Sequence, residues 1–215
     1  RGTHLNMINA HSSSLSIRNS FFPDMFAENE SPLTLGLDNA SEHIKSVGAL
    51  PVNGHFIIQG NFFGTNKGHN DVIDVNSGVH PGPIVQVLDN VFLGGGDDLL
   101  DLGGDVFIEG NGSIVDLASG LGIWIYADLN YPASLNIEYL TIVNGGYNAI
   151  TYNGKSTGNI TNCNFINNEF GIQVMDEAEI NIKNSNFIDN LEYGIAVRGT
   201  LASIDITHSN FWENG

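Results

Sequence analysis

Apolar and polar residues alternate along this chain in short runs, and the runs repeat. Towards the C-terminal end GNITNC, INIKNS and IDITHS each carry the two-residue rhythm of a strand with one buried face. Each leads into an Asn-Phe step: NFINN at 164–168, NFIDN at 186–190 and NFWEN at 210–214. Between these steps lie FGIQV at 170–174 and YGIAV at 193–197. One unit therefore reads as a strand, a bend, a short apolar strand, and then a Gly-Ile-x-Val strand. No stretch has helical spacing.

The frame extends backwards. An aliphatic residue followed five positions later by another apolar one occurs at Ile17 and Phe22, Ile58 and Phe63, Val87 and Phe92, Ile137 and Ile142, Ile160 and Phe165, Ile182 and Phe187, and Ile206 and Phe211. Ile108 joins the series if one residue is inserted before Ile114. The interval from Ile17 to Ile58 is long enough for two turns, or for one turn with an excursion.

A period of just over twenty residues, made of short strands, predicts a parallel β-helix of about seven to eight coils. A single coil cannot bury its own apolar side. Coils stacked about 4.8 Å apart complete each other's backbone ladders and place like residues over like. Asn at the bends then stacks as an amide ladder that satisfies turn groups the backbone leaves open. Leucine-rich repeats share the period but need a dense Leu framework, and here Ile, Phe and Val stand in its place. Residues 54–215 are predicted to be the solenoid. Residues 1–53 are expected to hold an irregular first coil, within SLSIRNSFF, and an N-terminal wrap or cap over Phe26 to Leu50. The last frame is cut at Gly215, so further coils or flanking domains of a larger chain are expected.

The xNxxNxFxxNxxGIxV frame of residues 159–215 resembles the right-handed parallel β-helix repeats of the pectin-lyase-like superfamily. The resemblance implies an all-β, right-handed parallel β-helix. It does not select a chemistry, because that superfamily holds polysaccharide lyases, glycoside hydrolases, epimerases, phage tailspikes and surface proteins without activity.

Aligning the Gly-Ile-x-Val strands gives NDVIDV, DDLLDL, GLGIWI, YNAITY, EFGIQV and EYGIAV. The central outward position then runs Asp74, Asp101, Trp124, Thr151, Gln173, Ala196. The turn position before it runs Asp71, Asp98, Leu121, Asn148, Phe170, Tyr193. Two neighbouring coils thus bring Asp71, Asp74, Asp97, Asp98 and Asp101 into one patch. Carboxylates stacked at one coil spacing repel by about 1 kcal/mol per pair even when screened. A hard divalent ion offsets this best, and Ca²⁺ with its six to eight oxygen ligands is the expected metal. A solvated acidic face is the alternative.

The DDxxD arrangement also resembles the calcium aspartates of β-helix pectate lyases. There the metal bridges the substrate carboxylate and acidifies its α-proton while a Lys or Arg acts as base. The resemblance implies a calcium-assisted lyase on uronic-acid polymers as an alternative function. Lys67, His69 and Lys155 are the candidates for proton transfer, and none has an obvious stacked place beside the aspartates. The Gly-His-Gly and Arg-Ile-Lys partners of polygalacturonases are absent, which disfavours a hydrolase.

Composition narrows the partners. The 215 residues carry 24 Asp plus Glu against 7 Lys plus Arg, a formal charge of −17. That excludes a nucleic-acid or anionic-membrane surface. The 26 Gly and 28 Asn argue against helices. The lone Cys163 forms no internal disulfide and aligns with Ser185 and Ser209 at a bend, as a structural thiol. No apolar stretch has the length of a membrane span, and no charged-then-apolar leader is present in this stretch. Downstream of the acidic patch, Trp124, Tyr126, Tyr131, Tyr147 and Tyr152 form an aromatic group suited to stacking on sugar rings. With Asn148 and Gln173 beside them, the expected function is an extracellular or cell-surface module, of bacterial type, that binds polysaccharide or surface glycan. A structural stalk or adhesin segment is the third reading.

Overall fold

The computed structural model describes residues 5–8, 14–24, 42–47, 54–66, 71–75, 84–94, 99–110, 112–114, 123–127, 133–145 and 147–215. Among them there is no helix. Twenty-four short strands follow one another in groups of three, one group per rung. Rung 1 is β1 (Leu5–Ile8), β2 (Leu15–Arg18) and β3 (Phe21–Phe22), and rung 2 is β4 (Ile44–Val47), β5 (Phe56–Gln59) and β6 (Phe62–Phe63). Rung 3 is β7 (Ile73–Val75), β8 (Val85–Leu88) and β9 (Val91–Phe92), and rung 4 is β10 (Leu100–Leu102), β11 (Asp105–Glu109) and β12 (Gly112–Ile114). Rung 5 is β13 (Ile123–Ala127), β14 (Ser134–Glu138) and β15 (Thr141–Val143), and rung 6 is β16 (Asn148–Gly154), β17 (Thr157–Thr161) and β18 (Asn164–Ile166). Rung 7 is β19 (Phe170–Met175), β20 (Glu179–Lys183) and β21 (Asn186–Ile188), and rung 8 is β22 (Tyr193–Arg198), β23 (Ser203–Thr207) and β24 (Asn210–Trp212).

Every third strand pairs in parallel with its neighbour, which gives three eight-stranded sheets. Sheet A holds the first strand of each rung, sheet B the second and sheet C the third. This is a parallel β-helix of eight coils, as the repeat predicts.

The register follows the expected ladders. Ile17, Ile58, Val87, Ile108, Ile137, Ile160, Ile182 and Ile206 stack in sheet B. Ile17 pairs directly with Ile58, so that interval is one turn with an excursion. Within the stretch expected to be irregular, Ile44–Val47 is strand β4 and joins β1 to β7. At rung 4 no residue is inserted: Ser113, not Ile114, takes the position between Phe92 and Ile142. Sheet C carries two phenylalanine stacks. Phe22, Phe63 and Phe92 lie 4.6 and 4.9 Å apart by ring centres, and Phe165, Phe187 and Phe211 lie 5.0 and 4.8 Å apart.

Amide ladders close the bends. Asn168 donates to Asn190 Oδ1 (3.0 Å) and Asn190 to Asn214 Oδ1 (2.7 Å), while Gly145 N–H donates to Asn168 Oδ1 (2.8 Å). Asn61 donates to Asn90 Oδ1 in the same way at 3.0 Å. These interior amides satisfy turn donors that no water reaches. Cys163 is buried in the companion ladder, where its N–H donates to Ser185 Oγ (3.2 Å). Burial pushes its thiol pKa up to about 11, which removes it as a nucleophile.

Candidate functional site

The outer faces of the sheets differ. In sheet B the outward residues are partly or fully exposed, as the alternations over Phe56–Gln59 and Glu179–Lys183 illustrate. In sheet A two strands are covered on the outer face as well: Asn148–Tyr152 and Phe170–Val174 are buried continuously. A strand buried on both faces is where polar side chains must find partners within the fold.

The outward column of sheet A runs as aligned from the sequence. Asp74 pairs with Asp101, Asp101 with Trp124, Trp124 with Thr151, Thr151 with Gln173, and Gln173 with Ala196. The turn column places Asn148 beside Phe170 and Phe170 beside Tyr193. Tyr126 shares its register position with Asn153.

The column also extends back beyond the aligned segments, through Lys45, which pairs with Asp74 on one side and Asn6 on the other. Lys45 Nζ lies 2.9 Å from Asp74 Oδ2 and 3.0 Å from Glu42 Oε1. Both carboxylates are nearly inaccessible to solvent. Burial alone would lower the Lys45 pKa, but the hydrogen bonds to Asp74 and Glu42 more than reverse this and raise it well above the ordinary lysine value. Lys45 is therefore a fixed cation and not a proton acceptor near neutral pH.

Among the described residues, the acidic patch takes in a further carboxylate, Glu42, from outside the aligned strands. Carboxylate oxygens of Glu42, Asp71 and Asp74 lie within 4.8 Å of one another. Asp101 stands one rung further on. Asp97 and Asp98 lie outside the described residues, as do Lys67, His69 and Tyr131. Glu42 and Lys45 could have been found in the sequence only by extending the alignment of sheet A strands back through the 41-residue first turn. The motif SEHIKSV lacks the Gly-Ile-x-Val signature that carried that alignment.

Lys155 follows β16 and forms an exposed ion pair with Glu177 at 3.2 Å. Its rung is three away from that of Asp74, about 14 Å at 4.8 Å per rung. It does not meet the acidic patch.

The expected ligand-binding residues divide. Tyr152 is not on the outer face, and its assignment there is corrected. Its side chain is fully buried, and its hydroxyl donates to the Leu135 carbonyl at 2.9 Å. The reason is alternation along β16: Thr151 points out, so Tyr152 points in. Gly158 makes room for it, since a Cβ there would lie 2.8 Å from the Tyr152 ring.

Asn148, Thr151 and Gln173 do come together. Asn148 Nδ2 donates to Thr151 Oγ1 (3.0 Å) and to Gln173 Oε1 (3.2 Å). Aromatic rings flank them. Tyr147 meets Phe170 edge-on at 5.6 Å, and Phe170 stacks with Tyr193 at 5.9 Å. Tyr147 and Tyr193 are 41% and 49% exposed, so their rings are available to a partner, while Phe170 is buried between them. Phe170 and Tyr193, which the alignment gave only as turn residues, thus lie beside this cluster.

Comparison with curated proteins and with solved structures returned no match. A family model described as a right handed beta helix region matches residues 72–215, about two thirds of the chain. That span contains rungs 3 to 8 and the whole Asn148–Gln173 cluster. Together with the three parallel eight-stranded sheets, this match means that the chain belongs to the right-handed β-helix family.

Proposed function

We propose that this chain is a non-catalytic β-helix module of the cell exterior that binds polysaccharide along the outer face of sheet A. The observation that carries this reading is the outer face of rungs 6 to 8. There the buried polar side chains of Asn148, Thr151 and Gln173 sit beside half-exposed tyrosines, whose ring faces suit the apolar faces of pyranoses. Exposed rings at rungs 6 and 8 suit a polymer more than a single sugar.

Lys45 bears on the alternative. A calcium-assisted lyase needs a metal on the aspartates and a neutral base beside them. In our reading Lys45 supplies the positive charge of the acidic patch, and a divalent ion competes for the same oxygens.

Affinity electrophoresis in gels containing neutral, acidic or N-acetylated polysaccharides tests the proposal. The wild-type protein is expected to be retarded by at least one of them without releasing an unsaturated, ultraviolet-absorbing product. Tyr147→Ala and Tyr193→Ala are each expected to weaken the retardation by about threefold to tenfold. An unsaturated product would establish the lyase. Neither retardation nor product would leave the stalk.

A further inference from the structure

The two carboxamides at the centre of this face are incompletely used. Asn148 and Gln173 are 1% and 4% exposed and bond to each other, yet Asn148 Oδ1 and Gln173 Nε2 have no hydrogen-bond partner. Turning both amides over leaves the same account, with one donor and one acceptor unmet. Native folds rarely bury such a pair without a use for it. The two open atoms do not bond to each other, so they call for two ligand atoms, one accepting and one donating.

Among the described residues, one long side chain reaches across this face. Arg198 ends β22 and Phe170 begins β19, and the guanidinium carbon lies 5.2 Å from the centre of the Phe170 ring. To meet across that length of strand the two side chains must close over Gln173 and Ala196, which stand between them. Arg198 itself is exposed. Lifting it off Phe170 opens the face at Gln173 and frees an aromatic ring.

We infer that this slot takes the acetamido group of an N-acetylated hexosamine in a polymer, an inference that rests on the polysaccharide reading above. An acetamido group presents one carbonyl, which accepts from Gln173 Nε2, and one N–H, which donates to Asn148 Oδ1. Its methyl group is apolar and suits the Phe170 ring. A uronate carboxylate presents acceptors only and leaves Asn148 Oδ1 unmet. Sugar rings on either side of the acetamido group lie against Tyr147 and Tyr193.

Titration calorimetry with the whole chain separates the possibilities. The probes are the β-1,4 tetramer of N-acetylglucosamine, the glucose tetramer with the same linkage, and a tetragalacturonate. The N-acetylated tetramer is expected to bind about tenfold tighter than the other two. Gln173→Glu, which replaces the donor by an oxygen, is expected to remove that preference. Arg198→Ala changes an exposed residue, tests the slot independently of Gln173, and is expected to tighten binding of the N-acetylated tetramer several-fold. Equal binding of the N-acetylated and glucose tetramers, or preference for the galacturonate, overturns the acetamido inference and leaves polysaccharide binding standing. Failure of all three probes, with no retardation in any polysaccharide gel, overturns both.

Discussion

Each rung turns from sheet B into sheet C through one residue with positive φ. The series is Asn19, Gly60, Asp89, Gly110, Tyr139, Asn162, Asn184 and His208, with φ between 49° and 66°. Gly, Asn and Asp tolerate this region, whereas a bulky side chain pays about 1 kcal/mol or more for it. Tyr139 is therefore the strained member, and its ring gains little in return because it is 57% exposed. Tyr139→Gly is expected to stabilise the fold by about 1 kcal/mol, even after the extra entropy that glycine brings to the unfolded chain. Urea denaturation checks this, and a destabilised variant would mean that the Tyr139 ring contributes packing beyond its backbone cost. This position was not legible in the sequence, because NIEYLT reads as an ordinary strand exit. The Asn ladders were legible, because the same residue recurs at the same step of successive rungs.

At the scale of the element, the differences between strands reflect what each must offset. Lys45 stands where β4 meets the carboxylates of Glu42 and Asp74. Removing one member of a buried ion pair leaves uncompensated charge, at a cost of about 3 kcal/mol. Lys45→Ala is expected to lose about that much stability, measured by chemical denaturation. Calcium is expected to raise the variant's melting temperature, because the Lys45 ammonium no longer competes for the oxygens of Glu42 and Asp74. The wild type should melt alike in calcium and in chelator. A wild type stabilised by calcium would instead restore the metal expected from the acidic ladder.

His43, one residue before β4, plugs the N-terminal rungs. It is fully buried, with its ring edge-on to Phe22 at 6.0 Å and to Phe63 at 5.8 Å. Nε2 lies 3.0 Å from the Pro23 carbonyl, so it carries the proton, and Nδ1 has no partner. Burial lowers the His43 pKa below the usual 6.5, against the raising effects of Pro23 and Asp24. The unfolded chain then takes up the proton first as pH falls. The stability from keeping His43 neutral is fully present above about pH 6.5 and is lost as pH drops towards the lower folded value. Against His43→Phe, the wild type should lose relative stability between about pH 7.5 and about pH 5. A pH-independent difference in melting temperature between the two would show that His43 does not titrate with unfolding.

For the whole molecule, the repeat carried the fold because identical interior residues at each rung leave little choice of register. It failed where a rung departs from its neighbours. Ser113 was passed over because Ile114 looked the better interior residue, and β4 because its segment has no Gly-Ile-x-Val. Tyr152 was placed outside because aromatic rings in a strand suit either face, and only Gly158 across the interior shows which way it points. The outward column of sheet A was readable. What the column does was not, since burial of an outward face depends on side chains from other rungs, such as Arg198 over Phe170.

The claim that sheet A, and not sheets B or C, presents the binding face is open to a single direct test. Amide hydrogen exchange is compared with and without a polysaccharide that retards the protein, and read peptide by peptide. Slowed exchange confined to β16, β19 and β22 and their preceding turns, around Tyr147, Phe170 and Tyr193, is the predicted result. Protection of β17, β20 and β23, or of β18, β21 and β24, with none in sheet A, would contradict it.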